Sequence, residues 1–241
     1  MTYRKRLATA VAVAAAATGA LAGTSAAAFP DFSDCPRSTP NLNACINVAA
    51  QRGFMDIKGF RVPLGDSMQI RGGLVFGATP EDTLFVAPRG TTGFFARPVQ
   101  VPGGLIGIDF PIPGNAVTAT AELAGPPSAI RFNLATYGIS QPIKLKLTNP
   151  IIGPGCQIGT NANPARLNLL TTTEGTTTFF DDYVLVTGNV NTDRTFSIPG
   201  ASGCGIGLGL INAAVNLKLG LPSSSGNNTI QLTSNVAVGG L

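Results

Sequence analysis

The chain has 241 residues, 16 basic and 12 acidic side chains for a formal net charge of +4, and neither His nor Trp. Without imidazole, the usual Ser-His-Asp and Cys-His catalytic arrangements and the common zinc sites are excluded. Charged residues make up 12% of the chain, about half the usual share, and the apolar fraction is ordinary, which excludes a disordered chain.

Residues 1–28 read as a secretory signal peptide. Arg4, Lys5 and Arg6 form a basic start, Leu7 to Ala22 is a run of mostly Ala, Val and Leu, and Ala26-Ala27-Ala28 is a small-residue cleavage site. The apolar run is too short and too Ala-rich for a membrane span, which needs about 20 strongly apolar residues. Cleavage after Ala28 would leave Phe29 first. No Cys stands at the junction for a lipid anchor, and Lys5 separates the two arginines that a twin-arginine signal needs adjacent. This segment holds three basic residues and no acidic one, so the remainder carries 13 basic against 12 acidic groups, a net +1. A near-neutral mature chain has no electrostatic case for nucleic acid or an anionic membrane.

Residues 29–241 are expected to form a single disulfide-containing, β-rich domain. A first helix is expected from Thr39-Pro40 towards Ala50, with Thr as N-cap and Pro at the first position. Strands are expected at Phe60–Leu64, Met68–Phe76 and Thr83–Ala87, and then at Ala116–Ala124, Ala129–Leu134 and Ile143–Thr148. The last is the clearest, with Ile143, Leu145 and Leu147 inward and Lys144, Lys146 and Thr148 outward. Period-two patterns of this kind are half-buried antiparallel strands. Arg166–Thr171, Tyr183–Val186, Thr195–Ile198 and Thr229–Val238 complete the set. Breakers such as VPGG, AGPPS and NPIIGPG separate them, which points to an antiparallel β-sandwich or barrel with one or two short helices. The second helix is expected over Gly207–Leu219, closed by Gly220 with Pro222 beyond. Leu208, Leu210, Ile211, Val215, Leu217 and Leu219 make it apolar almost all round. It is therefore expected to be core, with only Asn212, Asn216 and Lys218 facing solvent. If it stood exposed instead, a membrane-active role would come into play.

Cys35, Cys45, Cys156 and Cys204 are an even number in a chain read as exported. Of the three possible pairings, Cys35–Cys45 with Cys156–Cys204 is favoured. The first two share a short Pro-rich stretch (CPRSTPNLNAC), and the other two sit in the Gly-rich loops GPGCQIG and ASGCGIG. A Cys₄ metal site lacks the C-x-x-C spacing it needs. Oxidised cysteines leave no thiolate nucleophile, and no Gly-rich phosphate loop is present. Carboxylates are the remaining catalytic type. Glu81-Asp82 and Asp181-Asp182 are adjacent pairs, and Asp109 and Glu174 lie in or near turns. A glycosidase needs two carboxylates facing each other across a cleft, and adjacent residues on a strand point to opposite faces. Their reading is as turn formers, with a Ca²⁺ site at Glu174, Asp181 and Asp182 as a lesser idea that lacks the spacing of a calcium loop. No catalytic, cofactor or metal residue is assigned.

The phrases VPLGDSMQIRGGL (62–74), VPGGLIGI (101–108), ATAELAGP (119–126), PIKLKLTNPIIGPGCQIGT (142–160), IPGASGCG (198–205) and LKLGLPSSSGNNTIQL (217–232) resemble a family of uncharacterised secreted actinobacterial proteins. The resemblance covers most of the mature chain in the same order. It implies secretion and the Cys156–Cys204 pairing, and carries no catalytic residue. The expected function is that of a secreted, non-catalytic extracellular or cell-envelope protein. Its partner would be a cell-wall or extracellular glycan or protein, with no nucleic acid, no cofactor and no membrane anchor after cleavage. The alternatives are a carboxylate-dependent glycan hydrolase and a membrane-active factor.

Overall fold

The computed structural model describes residues 29–79, 82–105, 107, 109, 113–126, 130–132, 137–205 and 209–240. The expected signal peptide and Glu81 lie outside the described residues, as do Gly207 and Leu208 at the expected start of the second helix. Six strands come first: β1 (Ala44–Ile57), β2 (Phe60–Pro63), β3 (Met68–Val75), β4 (Leu84–Val86), β5 (Phe94–Ala96) and β6 (Val99–Gln100). Next are β7 (Thr118–Leu123), β8 (Ile130–Phe132), β9 (Tyr137–Thr148), β10 (Gln157–Ile158) and β11 (Ala165–Thr173). The chain ends with β12 (Thr176–Phe179), β13 (Tyr183–Asp193), β14 (Ala201–Ser202), helix α1 (Leu210–Leu219) and β15 (Asn228–Gly239).

All pairings are antiparallel, in the order β14-β10-β9-β11-β13-β15-β1-β3-β4, with the remaining strands as side branches. The two ends of this order do not pair, so the sheet is not closed into a barrel; its arrangement is sandwich-like. The long strands β1, β9 and β15 supply residues to two apolar clusters, and β13 supplies Val186 to the second. One gathers around Ile57, Ile143, Leu147, Ile158, Ile198 and Ile230. The other surrounds Ile46, Ile70, Leu74, Ile130, Ile139 and Val236. On β9 the expected alternation is present: Ile143 and Leu147 are buried while Lys146 is exposed. Lys144 lies along β7 and pairs with Glu122 at 3.5 Å.

The expected first helix is a strand. Residues 35–42 turn, with Thr39 N–H donating to Pro36 O and Leu42 N–H to Thr39 O. The chain then enters β1 with Ala44–Ala50 buried without a break. The reason is that both faces of β1 are covered. Ile46 and Val48 pack into the second cluster. On the opposite face Cys45 is bonded to Cys35, and Asn47 donates from Nδ2 to Asp31 O at 2.8 Å. A strap formed by residues 29–42 thus lies over the sheet. A strand covered on two sides loses its period-two signal and reads as a uniform apolar run. Thr195–Ile198 also differs from expectation. It forms a single bridge, Ile198 to Ser223, and carries the buried Phe196 and Ile198.

Both disulfides are those expected, Cys35–Cys45 and Cys156–Cys204, and no cysteine is free. Two disulfides fit an oxidising, extracytoplasmic environment. No helix among the described residues is long and apolar enough to cross a membrane.

Candidate functional site

Helix α1 is seated differently from the sequence expectation. Gly220 does close it in the left-handed region (φ 64°), with Leu221 N–H donating to Asn216 O at 2.8 Å. The face turned to the protein, however, is the one carrying amides. Asn216 Oδ1 accepts the N–H of Ala201 at 2.7 Å, and Asn212 Oδ1 accepts that of Cys204 at 2.8 Å. Ala201 lies on β14, at the end of the strand order, and Cys204 lies just beyond it, so these backbone donors face away from a neighbouring strand, and burial would be costly unless an acceptor reached them. Two amides one helical turn apart supply the acceptors, and that decides the rotation of the helix. Val215 and Leu219 are buried on the same side.

Two of the leucines expected in the core, Leu210 and Leu217, are consequently outside, while Leu219 is buried as expected. Leu210 is 71% exposed and Leu217 86%. Ala213 and Ala214 lie between them and are exposed as well, which completes an apolar stripe one residue wide in solvent. Beneath this stripe is a cavity of about 190 Å³, lined by Leu105, Val117, Leu147, Ile152 and Ile211 among others. Ala214 belongs both to the exposed stripe and to the cavity wall, so the stripe borders the cavity. Lys218, expected to face solvent, lines the cavity instead. Its Nζ is out of contact with water and has no hydrogen-bond partner among the described residues. Removal from water lowers the affinity of this amine for its proton, and the charge of Asp109 opposes that in part. Asp109 is itself held by the N–H of Gly103.

A second, polar groove of about 370 Å³ lies between the strap and the sheet, bordered by Phe29, Asp31, Asn47, Asp66 and Arg71. Arg71 joins strap to sheet. Its Nη1 pairs with Asp31 at 3.2 Å and Asp34 at 2.7 Å, and its guanidinium stacks on Phe95 at 4.3 Å. Hydrogen bonds from Ser33, with Arg71 assisting, hold the Asp31 carboxyl below the usual carboxylate range. The groups around this groove hold the strap in place, much as the disulfide does.

Two of the carboxylates considered from the sequence are engaged in their own turns. Asp82 bonds Thr79 Oγ1 at 2.8 Å, and Asp109 binds its own turn. Among the described residues no three Cys, Asp or Glu side chains gather closely enough to hold an ion, Glu174, Asp181 and Asp182 included. The acid with the most partners was not singled out from the sequence. Asp193, buried at the end of β13, accepts the N–H and hydroxyl of Thr195, both at 2.7 Å, and Asn168 N–H at 2.6 Å. The Asp-x-Thr spacing of such a turn was its only local signal.

Fold and site together define a disulfide-bonded, sandwich-like antiparallel β protein with a helix-bordered apolar cavity. No protein-family model matches the chain, and neither does any curated protein or solved structure.

Proposed function

We propose that this chain is a secreted, non-catalytic protein of the extracellular space or cell envelope, and that it works by binding an apolar ligand at the face of helix α1. The observation that carries this reading is the stripe Leu210–Ala214–Leu217 standing in solvent along the mouth of an apolar cavity. Two exposed leucines gain nothing for the fold where they stand, whereas burying each against a partner contributes about 1.5–3 kcal/mol. Apolar surface beside a concave apolar site is the usual make-up of a small-molecule binding region. The disulfides support the extracytoplasmic part of the reading. A non-catalytic role is supported by the structural work of the acids. Asp31 and Asp34 pair with Arg71, Asp56 with Arg61, Asp66 with Arg97, and Asp193 holds a turn.

The test is retention on the envelope fraction of the producing cells. N-terminal sequencing of the exported protein should first read Phe29. The double variant Leu210→Glu/Leu217→Glu should then lose at least about tenfold in retention, while its urea midpoint stays that of wild type. Equal retention by the double variant would refute this face as the binding surface.

A further inference from the structure

We infer that the cavity under helix α1 takes a small aliphatic carboxylic acid, its chain in the apolar pocket and its carboxylate on the Lys218 ammonium. This rests on the reading of that face as a binding site and names its ligand class.

Three observations point the same way. The cavity, at about 190 Å³, is somewhat larger than one of roughly 150 Å³ that accepts benzene, so a chain of six carbons or so is the right scale. The wall is built from Val101, Leu105, Val117, Leu147, Ile152 and Ile211, and among the described residues Lys218 is its one charged lining residue. The Lys218 amine is withdrawn from water without an acceptor among the described residues. Buried ammonium groups are ordinarily paired, because an unpaired one forfeits its hydration and gains no partner. No carboxylate among the described residues stands within ion-pair distance of it. Asp109 acts on Lys218 only through its field, while its oxygen Oδ1 accepts the Gly103 N–H. An apolar wall with one donor cation is complementary to a ligand that is aliphatic at one end and anionic at the other. A neutral ligand of the same shape offers at most an uncharged acceptor, a weaker partner for an ammonium than a carboxylate. Desolvation lowers the proton affinity of the free amine, and a bound carboxylate would restore it, so binding and protonation of Lys218 support each other.

The experiment compares hexanoate with hexanamide, its neutral counterpart, by calorimetric or NMR titration of the intact mature protein at neutral pH. A charge-assisted contact predicts that hexanoate binds at least about tenfold more tightly than hexanamide. A smaller ratio, or no hexanoate binding at millimolar concentration, overturns the inference. Lys218→Met keeps an apolar stem of similar size and should abolish or reverse the preference, since an unpaired carboxylate costs more to bury than an amide. Persistence of the preference in that variant also overturns the inference. If the variant fails to fold, the wild-type ratio decides alone. Envelope retention of Leu210→Glu/Leu217→Glu reads the exposed stripe and not the amine, so failure here and failure of the binding-face reading are separate results.

Discussion

The orientation of helix α1 makes a sharp prediction about four side chains of similar character. Leu219 is 7% exposed and Val215 9%, whereas Leu217 is 86% exposed and Leu210 71%. Leu219→Ala removes packing within the first core cluster and should cost about 2–5 kcal/mol, with Val215→Ala somewhat less. Leu217 keeps only 14% of its surface covered, so truncation should cost roughly 0.2–0.4 kcal/mol, that share of the 1.5–3 kcal/mol for full burial. Alanine is also a slightly better helix former than leucine, which reduces the cost further. Leu210→Ala should behave similarly. Equilibrium urea unfolding of the four single variants, with the slope checked for constancy, measures the difference directly. A loss above about 1.5 kcal/mol for Leu217→Ala would mean that the stripe is packed in the free protein, and the exposed binding face would fall with it. A neutral Leu219→Ala would equally refute the assigned rotation of the helix.

Replacing Cys156 and Cys204 together by Ala should cost about 4 kcal/mol, from the chain entropy of a loop spanning 48 residues, and Cys35 with Cys45 about 3 kcal/mol for a span of 10. Denaturant titrations of the two double variants should preserve that order. Tyr137 is buried, its hydroxyl shared with Ser234, and burial pushes its pKa from 10 up to about 12. The neutral form is the one the fold favours. Its stabilisation is therefore complete below pH ~10 and is lost as pH rises towards 12, about 3 kcal/mol in all. Absorbance of the phenolate should show Tyr137 ionising only as the protein unfolds. Tyr137→Phe should remove this alkaline loss while costing about 1–3 kcal/mol at neutral pH, since Ser234 loses its partner. Asp193→Ala strips acceptors from the N–H groups of Asn168 and Thr195 and should destabilise by about 3 kcal/mol or more. In a panel of glycan, ester and peptide substrates, neither Asp109→Asn nor Asp182→Asn should change turnover a hundredfold, the scale about which a catalytic carboxylate acts.

The strands that carry one wet and one dry face were legible in the sequence, because alternation is a local pattern that a solvent boundary writes residue by residue. Ile143–Thr148 is of this kind, and the closure of helix α1 at Gly220 was legible too, since it needs only a residue free to adopt positive φ. The disulfide pairing was legible from spacing and loop composition. Where two distant parts of the chain meet, local pattern failed. Ala44–Ala50 is a strand because β3 and β15 pair along its two edges while the second cluster and the strap from residues 29–42 cover its two faces, and no residue in the run itself records those partners. Helix α1 is rotated from the expected setting for a similar reason, with Leu210 and Leu217 outward and Asn212 and Asn216 inward. Hydropathy alone turns leucines inward and asparagines outward, but the N–H groups of Ala201 and Cys204 required acceptors, and Asn216 and Asn212 were the side chains able to provide them. Leaving both donors unpaired would cost about 2–6 kcal/mol, and turning the helix would also withdraw Val215 and Leu219 from the core. That tertiary requirement placed the leucines in water and drew the Lys218 amine into the cavity, so the candidate site exists only in the folded chain.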